Sequence, residues 1–162
     1  MNQLYLLRHG LAVPHGTPDI EDDERPLTPE GERRVRQVGR GLRRLRVKLT
    51  RIVSSPLPRA LRTAEIVADA LGSTELIEVA DELRAGRDAA SIREWLKTRQ
   101  ESRLMLVGHN PSLSDLLSLL LTGNELQRPI CELHKAGIAA LRAEPGEPYR
   151  VDWIARPRLF RP

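Results

Sequence analysis

At 162 residues with a net charge of +4 and one cysteine, Cys131, the chain fits a single domain over 1–162 and excludes an internal disulfide or a cysteine-rich zinc site. The basic excess (pI about 9.8) is almost all arginine, lysine occurring only at 48, 97 and 135, and aromatics at 3% supply few base-stacking platforms, so no nucleic-acid partner is expected. Apolar runs such as 116–121 fall far short of the roughly 20 residues of a membrane span, and 1–7 lacks a basic leader, so a cytoplasmic protein with no membrane partner is expected.

The first apolar run, Leu4-Tyr5-Leu6-Leu7, reads as a buried strand that stops at Arg8-His9-Gly10. A loop follows with Pro14, Gly16, Pro18 and an acidic stretch over 19–24. Thr28 before Pro29 predicts an N-cap with proline at the first helical position, and Val35, Val38, Leu42 and Leu45 mark the apolar face of that helix. The arginines at 33, 34, 36, 40, 43, 44 and 46 lie between those positions and read as a solvated helix face.

Residues 51–54 predict a second strand ending in Ser55-Pro56, and a helix begins near Pro58 and stops at Gly72. A strand over 76–79, a helix over 89–100, a strand over 104–107 ending in Gly108-His109-Asn110-Pro111, and a leucine-rich helix over 112–121 come next. Two strands, 137–141 and 150–154, close the chain. This alternation predicts an α/β domain with a mostly parallel sheet, whose ligands gather at the carboxyl ends of the strands. Three strands end there in Arg8-His9-Gly10, in Ser54-Ser55-Pro56 with Arg59 beyond, and in Gly108-His109-Asn110.

Phosphoryl transfer needs fixed positive donors around the equatorial oxygens, and a guanidinium stays charged and binds two oxygens at once. A neutral, oriented imidazole is a competent nucleophile, and a protonated second imidazole neutralises the same phosphate. Arg8, His9, Arg59 and His109 therefore form a metal-free kit that needs no cofactor. His15 and His134 follow no pattern and read as ordinary histidines, and Arg62 as a solvated helix residue.

Leu6-Leu7-Arg8-His9-Gly10 resembles the signature of the histidine phosphatase superfamily, which includes the phosphoglycerate mutases and acid phosphatases. Residues 54–60 with Thr63-Ala64-Glu65 resemble its second motif, and Val107-Gly108-His109-Asn110 its third, in the family's order. The resemblance implies a three-layer sandwich of the phosphoglycerate-mutase type and a phosphohistidine intermediate on His9. It also implies phosphate binding by Arg8, Arg59 and His109, with Gly10 and Asn110 lining the site. The short length and the segment Arg25-Pro26-Leu27-Thr28-Pro29-Glu30-Gly31 are most similar to SixA-type phosphohistidine phosphatases, which lack large cap insertions.

Mutases and many phosphomonoesterases of the superfamily carry a glutamate proton donor in a Leu-x-Glu context. Here the region reads Asp81-Glu82-Leu83-Arg84-Ala85, with Ala85 at the expected position and Glu82 as the nearby alternative. An alkoxide leaving group needs that proton, whereas the imidazole of phosphohistidine takes one from solvent. The expected activity is therefore dephosphorylation of phosphohistidine on a partner protein. The rivals are a small-molecule phosphomonoesterase, for which Glu82 would be the acid, and a non-catalytic module that binds phosphate or phosphoprotein.

Overall fold

The computed structural model describes residues 2–161. Strands β1 (Asn2–Arg8), β2 (Arg51–Ser54), β3 (Ile77–Val79), β4 (Arg103–Gly108), β5 (Ile138–Ala143) and β6 (Arg150–Ala155) form one sheet in the order β3-β2-β4-β1-β5-β6. Pairings β2–β3, β2–β4 and β1–β4 are parallel, while β1–β5 and β5–β6 are antiparallel. Only β5 among the described strands runs against the rest, so the mostly parallel sheet is present with a hairpin on one edge.

Alternation along β1 decides which layer each side chain enters. Tyr5 and Leu7 join Val35, Val38 and Leu42 of α1 (Pro29–Arg44) and Ala60, Ala64 and Val67 of α2 (Pro58–Leu71) in one core. Leu4 and Leu6 point the other way, to Ile92 and Leu96 of α3 (Ala89–Lys97) and Leu113, Leu116 and Leu117 of α4 (Ser112–Thr122). The result is the three-layer sandwich, without a large insertion. Among the described residues no helix is long and apolar enough to cross a membrane.

Several local expectations hold at the level of single bonds. Thr28 caps α1 by accepting from the Gly31 N–H at 3.0 Å, and Gly72 ends α2 at φ 67°. Others differ. Leu45 is the C-cap of α1 and is 57% exposed, so the apolar face ends at Leu42. Helix α3 stops at Lys97 with Thr98 as C-cap, short of residue 100, and Leu76 closes a 3₁₀ turn (Thr74–Leu76) before β3. Further 3₁₀ turns lie at Asp22–Glu24, Asp81–Leu83 and Pro157–Phe160.

The first turn of α1 sits directly on the segment that follows His9. A Cβ at Gly31 would lie 2.0 Å from the Leu11 carbonyl oxygen, which accepts from the Thr28 N–H at 2.9 Å. Gly31→Ala must therefore push the helix off residues 10–12. Overpacking of this kind costs ~1–3 kcal/mol, which at this chain length is a fall in Tm of roughly 3–10 °C. A thermal melt followed by circular dichroism reads it, and an unchanged Tm would mean that the 10–12 segment yields freely.

Candidate active site

The carboxyl ends of β1, β4 and β2 are adjacent in the sheet, and backbone bonds tie the turns beyond them together. The His9 N–H donates to the Gly108 carbonyl at 3.0 Å, and the Ser55 N–H to the Val107 carbonyl at 2.9 Å. His9 and His109 are thereby brought face to face, ring centroids 5.0 Å apart and planes tilted by 54°. Both are buried.

Nδ1 of His9 lies 2.7 Å from the Gly10 carbonyl oxygen, which can only accept. The proton therefore sits on Nδ1 and leaves Nε2 with a lone pair. The Gly10 N–H donates to Thr63 Oγ1 at 3.0 Å, and that hydroxyl donates to the Arg59 carbonyl at 2.7 Å, so β1 and α2 are locked together beneath the imidazole. Burial first, then the Lys135 charge, any proton gained by His109 and the Arg59 charge, hold the His9 imidazole neutral, its pKa pushed down to about 2.

His109 Nε2 is 2.8 Å from Ser55 Oγ. Burial and the surrounding Arg59, Lys135, Arg8 and Arg25 lower its pKa to about 3. In the site as it stands, then, His109 is a neutral hydrogen-bonding ring. An arriving phosphate dianion reverses the sign of the local field and raises both imidazoles.

The arginines flank this pair. Arg8 Nη1 donates to the Leu133 carbonyl at 2.7 Å, and Arg59, 2% exposed, donates from Nη1 to the Asp22 carbonyl at 2.8 Å. Arg8 Nε and Arg59 Nε are buried and hydrogen-bond to none of the described residues. Burial weakens the hold of both guanidiniums on their protons. These are donors with a partner missing, and a buried donor left unmatched is costly unless a ligand takes it.

Lys135 completes the ring of charge and was not singled out in the sequence. Its Nζ lies 3.4 Å from His9 Nε2, and burial beside Arg8, Arg25 and Arg59 pulls its pKa down to about 8. Asp22 was also missed, and Ser55 and Thr63 were read only as part of the second motif, without a role. Two carboxylates approach the cations, Asp22 at 3.8 Å from Arg59 Nη2 and the exposed Glu132 at 3.9 Å from Arg8 Nη1, and His15 and Arg25 hold the pKa of Asp22 at about 2. Among the described residues no group of three or more His, Cys, Asp or Glu side chains is arranged to hold a metal ion.

The remaining candidates sit differently. Asn110 donates from Nδ2 to the Leu133 carbonyl at 3.0 Å and accepts from Ser114 Oγ at 2.8 Å, so its amide anchors the 133 segment to α4. Gly10 commits its N–H to Thr63, and a Cβ there would meet Val35 Cγ2 at 2.7 Å, so this glycine lets β1 approach α1. Glu82 is exposed in the 81–83 turn, which packs near the end of β4. Its carboxylate pairs with none of the described residues. His15 is exposed and bonds Asp22 at 2.6 Å, His134 is exposed, and Arg62 pairs with Glu32 and Glu65 on the helix surface.

Arg59 thus differs from a surface arginine by its burial and its free Nε. Arg59→Lys keeps the charge but loses the two-pronged donor. One lost charged hydrogen bond costs ~1.5–3 kcal/mol, or roughly a 10- to 100-fold fall in kcat/KM for an aryl phosphate, with folding intact by circular dichroism. Wild-type kcat/KM in the variant would show that Arg59 serves the fold alone.

The histidine phosphatase superfamily (branch 1) model matches residues 4–87. An uncharacterized protein from Picosynechococcus sp. is 36% identical over 147 residues, covering 87% of this chain and 85% of that protein. A protein from Erwinia tasmaniensis assigned as phosphoglycerate mutase GpmB is 38% identical over 79 residues, 48% of this chain but only 36% of the mutase. Among solved structures, the protein histidine phosphatase SixA complexed with tungstate superposes with a TM-score of 0.86 at 25% identity, covering 98% of this chain and 99% of that one.

Proposed function

The chain belongs to the histidine phosphatase superfamily, and from that premise we infer that it dephosphorylates phosphohistidine carried on a protein, without a metal, through a phosphohistidine of its own at His9. One observation carries the reading. The buried Arg59 and the half-buried Arg8, each with an unmatched Nε donor, and the half-buried Lys135 lie around the His9–His109 pair, whose imidazoles are kept neutral. Such a concentration of positive charge, with two Nε donors unmatched, is complementary to a phosphoryl dianion, and worth most in transfer, when charge spreads over the equatorial oxygens.

The chemistry follows from the tautomer. His9 Nε2 attacks phosphorus, the bond to the leaving group breaks on the opposite side, and the Gly10 carbonyl stabilises the positive charge that develops on the ring through Nδ1–H. Arg8, Arg59, Lys135 and His109 hold the three oxygens. Water then attacks the phosphoenzyme, releasing orthophosphate and restoring neutral His9. The leaving imidazole of a phosphohistidine substrate takes its proton from solvent, so no internal acid is required. The cations neutralise the phosphate themselves, which is the work a divalent metal does elsewhere.

The superposition on SixA at a TM-score of 0.86 supports a protein-borne substrate. A phosphorylated histidine-containing phosphotransfer protein and a panel of phosphometabolites, assayed side by side with EDTA present, test the reading. Rapid loss of label from the protein with slow metabolite turnover is expected. Preference for a metabolite, or collapse under EDTA with rescue by one metal, would overturn it.

A further inference from the structure

Beside the phosphate site lies a second concavity of about 310 Å³, walled by α1, the 134–135 segment and the C-terminal 3₁₀ turn. Arg34, Gln37, Lys135, Arg156, Arg158 and Arg161 line it. Lys135 belongs to both places, since its Nζ is also 3.4 Å from His9 Nε2. From this continuity the geometry points to a subsite for the non-scissile phosphates of an oligophosphate, whose terminal phosphate is cleaved at His9. The inference depends on the reading of His9 as the phosphoryl-transfer centre.

The charge of the pocket has no counterpart in its own lining. Arg34 is steadied by Glu30, whose Oε1 accepts from its Nε at 2.6 Å, leaving the outer guanidinium nitrogens free. The guanidiniums of Arg156, Arg158 and Arg161 pair with none of the described residues. Gln37 on the α1 wall is 7% exposed. The wall that carries the arginines is fixed. Phe160 is buried against Gly41, its carbonyl accepts from Arg44 Nη2 at 2.9 Å, and Pro157 is buried. A concave pocket with several guanidinium forks on an anchored turn suits a compact polyanion.

Leaving-group chemistry agrees. With tripolyphosphate, His9 Nε2 bonds to the terminal phosphorus and the P–O bond to the diphosphate breaks. Diphosphate departs as a stabilised anion that needs no proton in the transition state. Water then cleaves the phosphoenzyme to orthophosphate, so one water is consumed and one proton is released to solvent near neutral pH. A site without an internal acid is thus competent for anhydrides as well as for phosphohistidine.

The test measures binding of orthophosphate and tripolyphosphate by calorimetry at fixed ionic strength, and orthophosphate release from tripolyphosphate, in wild type, in Arg156→Gln/Arg158→Gln, and in Arg40→Gln/Arg43→Gln. The last pair removes the same charge from an exposed part of α1 outside the pocket. Tripolyphosphate should bind at least about tenfold more tightly than orthophosphate in wild type and in the Arg40/Arg43 variant, and be hydrolysed. The Arg156/Arg158 variant should lose most of that preference. Equal binding of the two anions, a preference that survives in the Arg156/Arg158 variant, displacement of tripolyphosphate by an oligoglutamate peptide at equal charge concentration, or tight binding without cleavage alongside normal p-nitrophenyl phosphate turnover would each overturn the proposal. Absence of all turnover with the binding preference intact would instead overturn the phosphatase reading.

Discussion

His9→Asn is expected to lower kcat for p-nitrophenyl phosphate by about 10⁴-fold or more, because loss of a covalent nucleophile disables the whole catalytic unit. Asparagine fits the space and can keep a donor toward the Gly10 carbonyl, so the fold should survive. The wild-type enzyme, quenched without acid during turnover, should carry phosphate on His9 and none on His109. The pH profile supplies an independent reading. kcat/KM reports the free enzyme, in which His9 and His109 stay neutral down to about 2 and about 3. After correction for ionisation of the substrate, its acid limb should therefore lie well below the ordinary imidazole value near 6.5. Stability behaves differently. Below about pH 6.5 the unfolded chain takes up protons that the folded imidazoles refuse, so stability falls steadily as the pH drops toward 3. Inorganic phosphate should offset part of this fall by stabilising the charged rings. An acid limb at 6.5 in kcat/KM, or phosphate found on His109, would remove His9 from its role.

The contrast between what the sequence disclosed and what it hid follows from the reach of local signals. Strand ends carrying Arg8-His9 and His109 were readable because a short apolar run that stops at a glycine marks both a buried strand and its functional edge. Thr28-Pro29 and Gly72 were readable because capping is decided within one turn of chain. Lys135 was not. It lies 126 residues from His9 in sequence, in a segment without periodicity, and reaches the imidazole only because β5 returns antiparallel beside β1. Its one signal was rarity, as one of three lysines in an arginine-rich chain, placed just before a strand. The Asp22–Glu24 turn read as a plain acidic loop, yet the Asp22 carbonyl holds Arg59. Backbone acceptors leave no trace in side-chain patterns. For the same reason the commitment of Asn110 to the Leu133 carbonyl was invisible, and only the family resemblance placed it against the phosphate.

Alkyl phosphates are expected to be turned over about 10²- to 10⁴-fold more slowly than phosphohistidine or p-nitrophenyl phosphate, the range that general acid catalysis ordinarily supplies. The site holds cations and neutral imidazoles, and the carboxylate beside Arg59, Asp22, has its pKa lowered to about 2 by His15 and Arg25. It is therefore ionised at neutral pH and has no proton to give. Glu82 is exposed in its 3₁₀ turn and pairs with none of the described residues, so nothing fixes it toward a leaving group. Leaving groups that depart unaided should then be cleaved quickly and alkoxides slowly. Glu82→Gln separates the alternatives because it removes the acid while keeping the shape. With phosphohistidine or p-nitrophenyl phosphate, kcat/KM should stay within about twofold of wild type, since loss of an exposed, unpaired carboxylate changes little. With an alkyl ester the already slow rate should also be unchanged. If wild-type enzyme instead cleaved the alkyl ester efficiently, and Glu82→Gln slowed that substrate by about 10²-fold or more while sparing the aryl ester, Glu82 would be the proton donor. The chain would then be a small-molecule phosphomonoesterase whose 81–83 turn moves over the site during turnover.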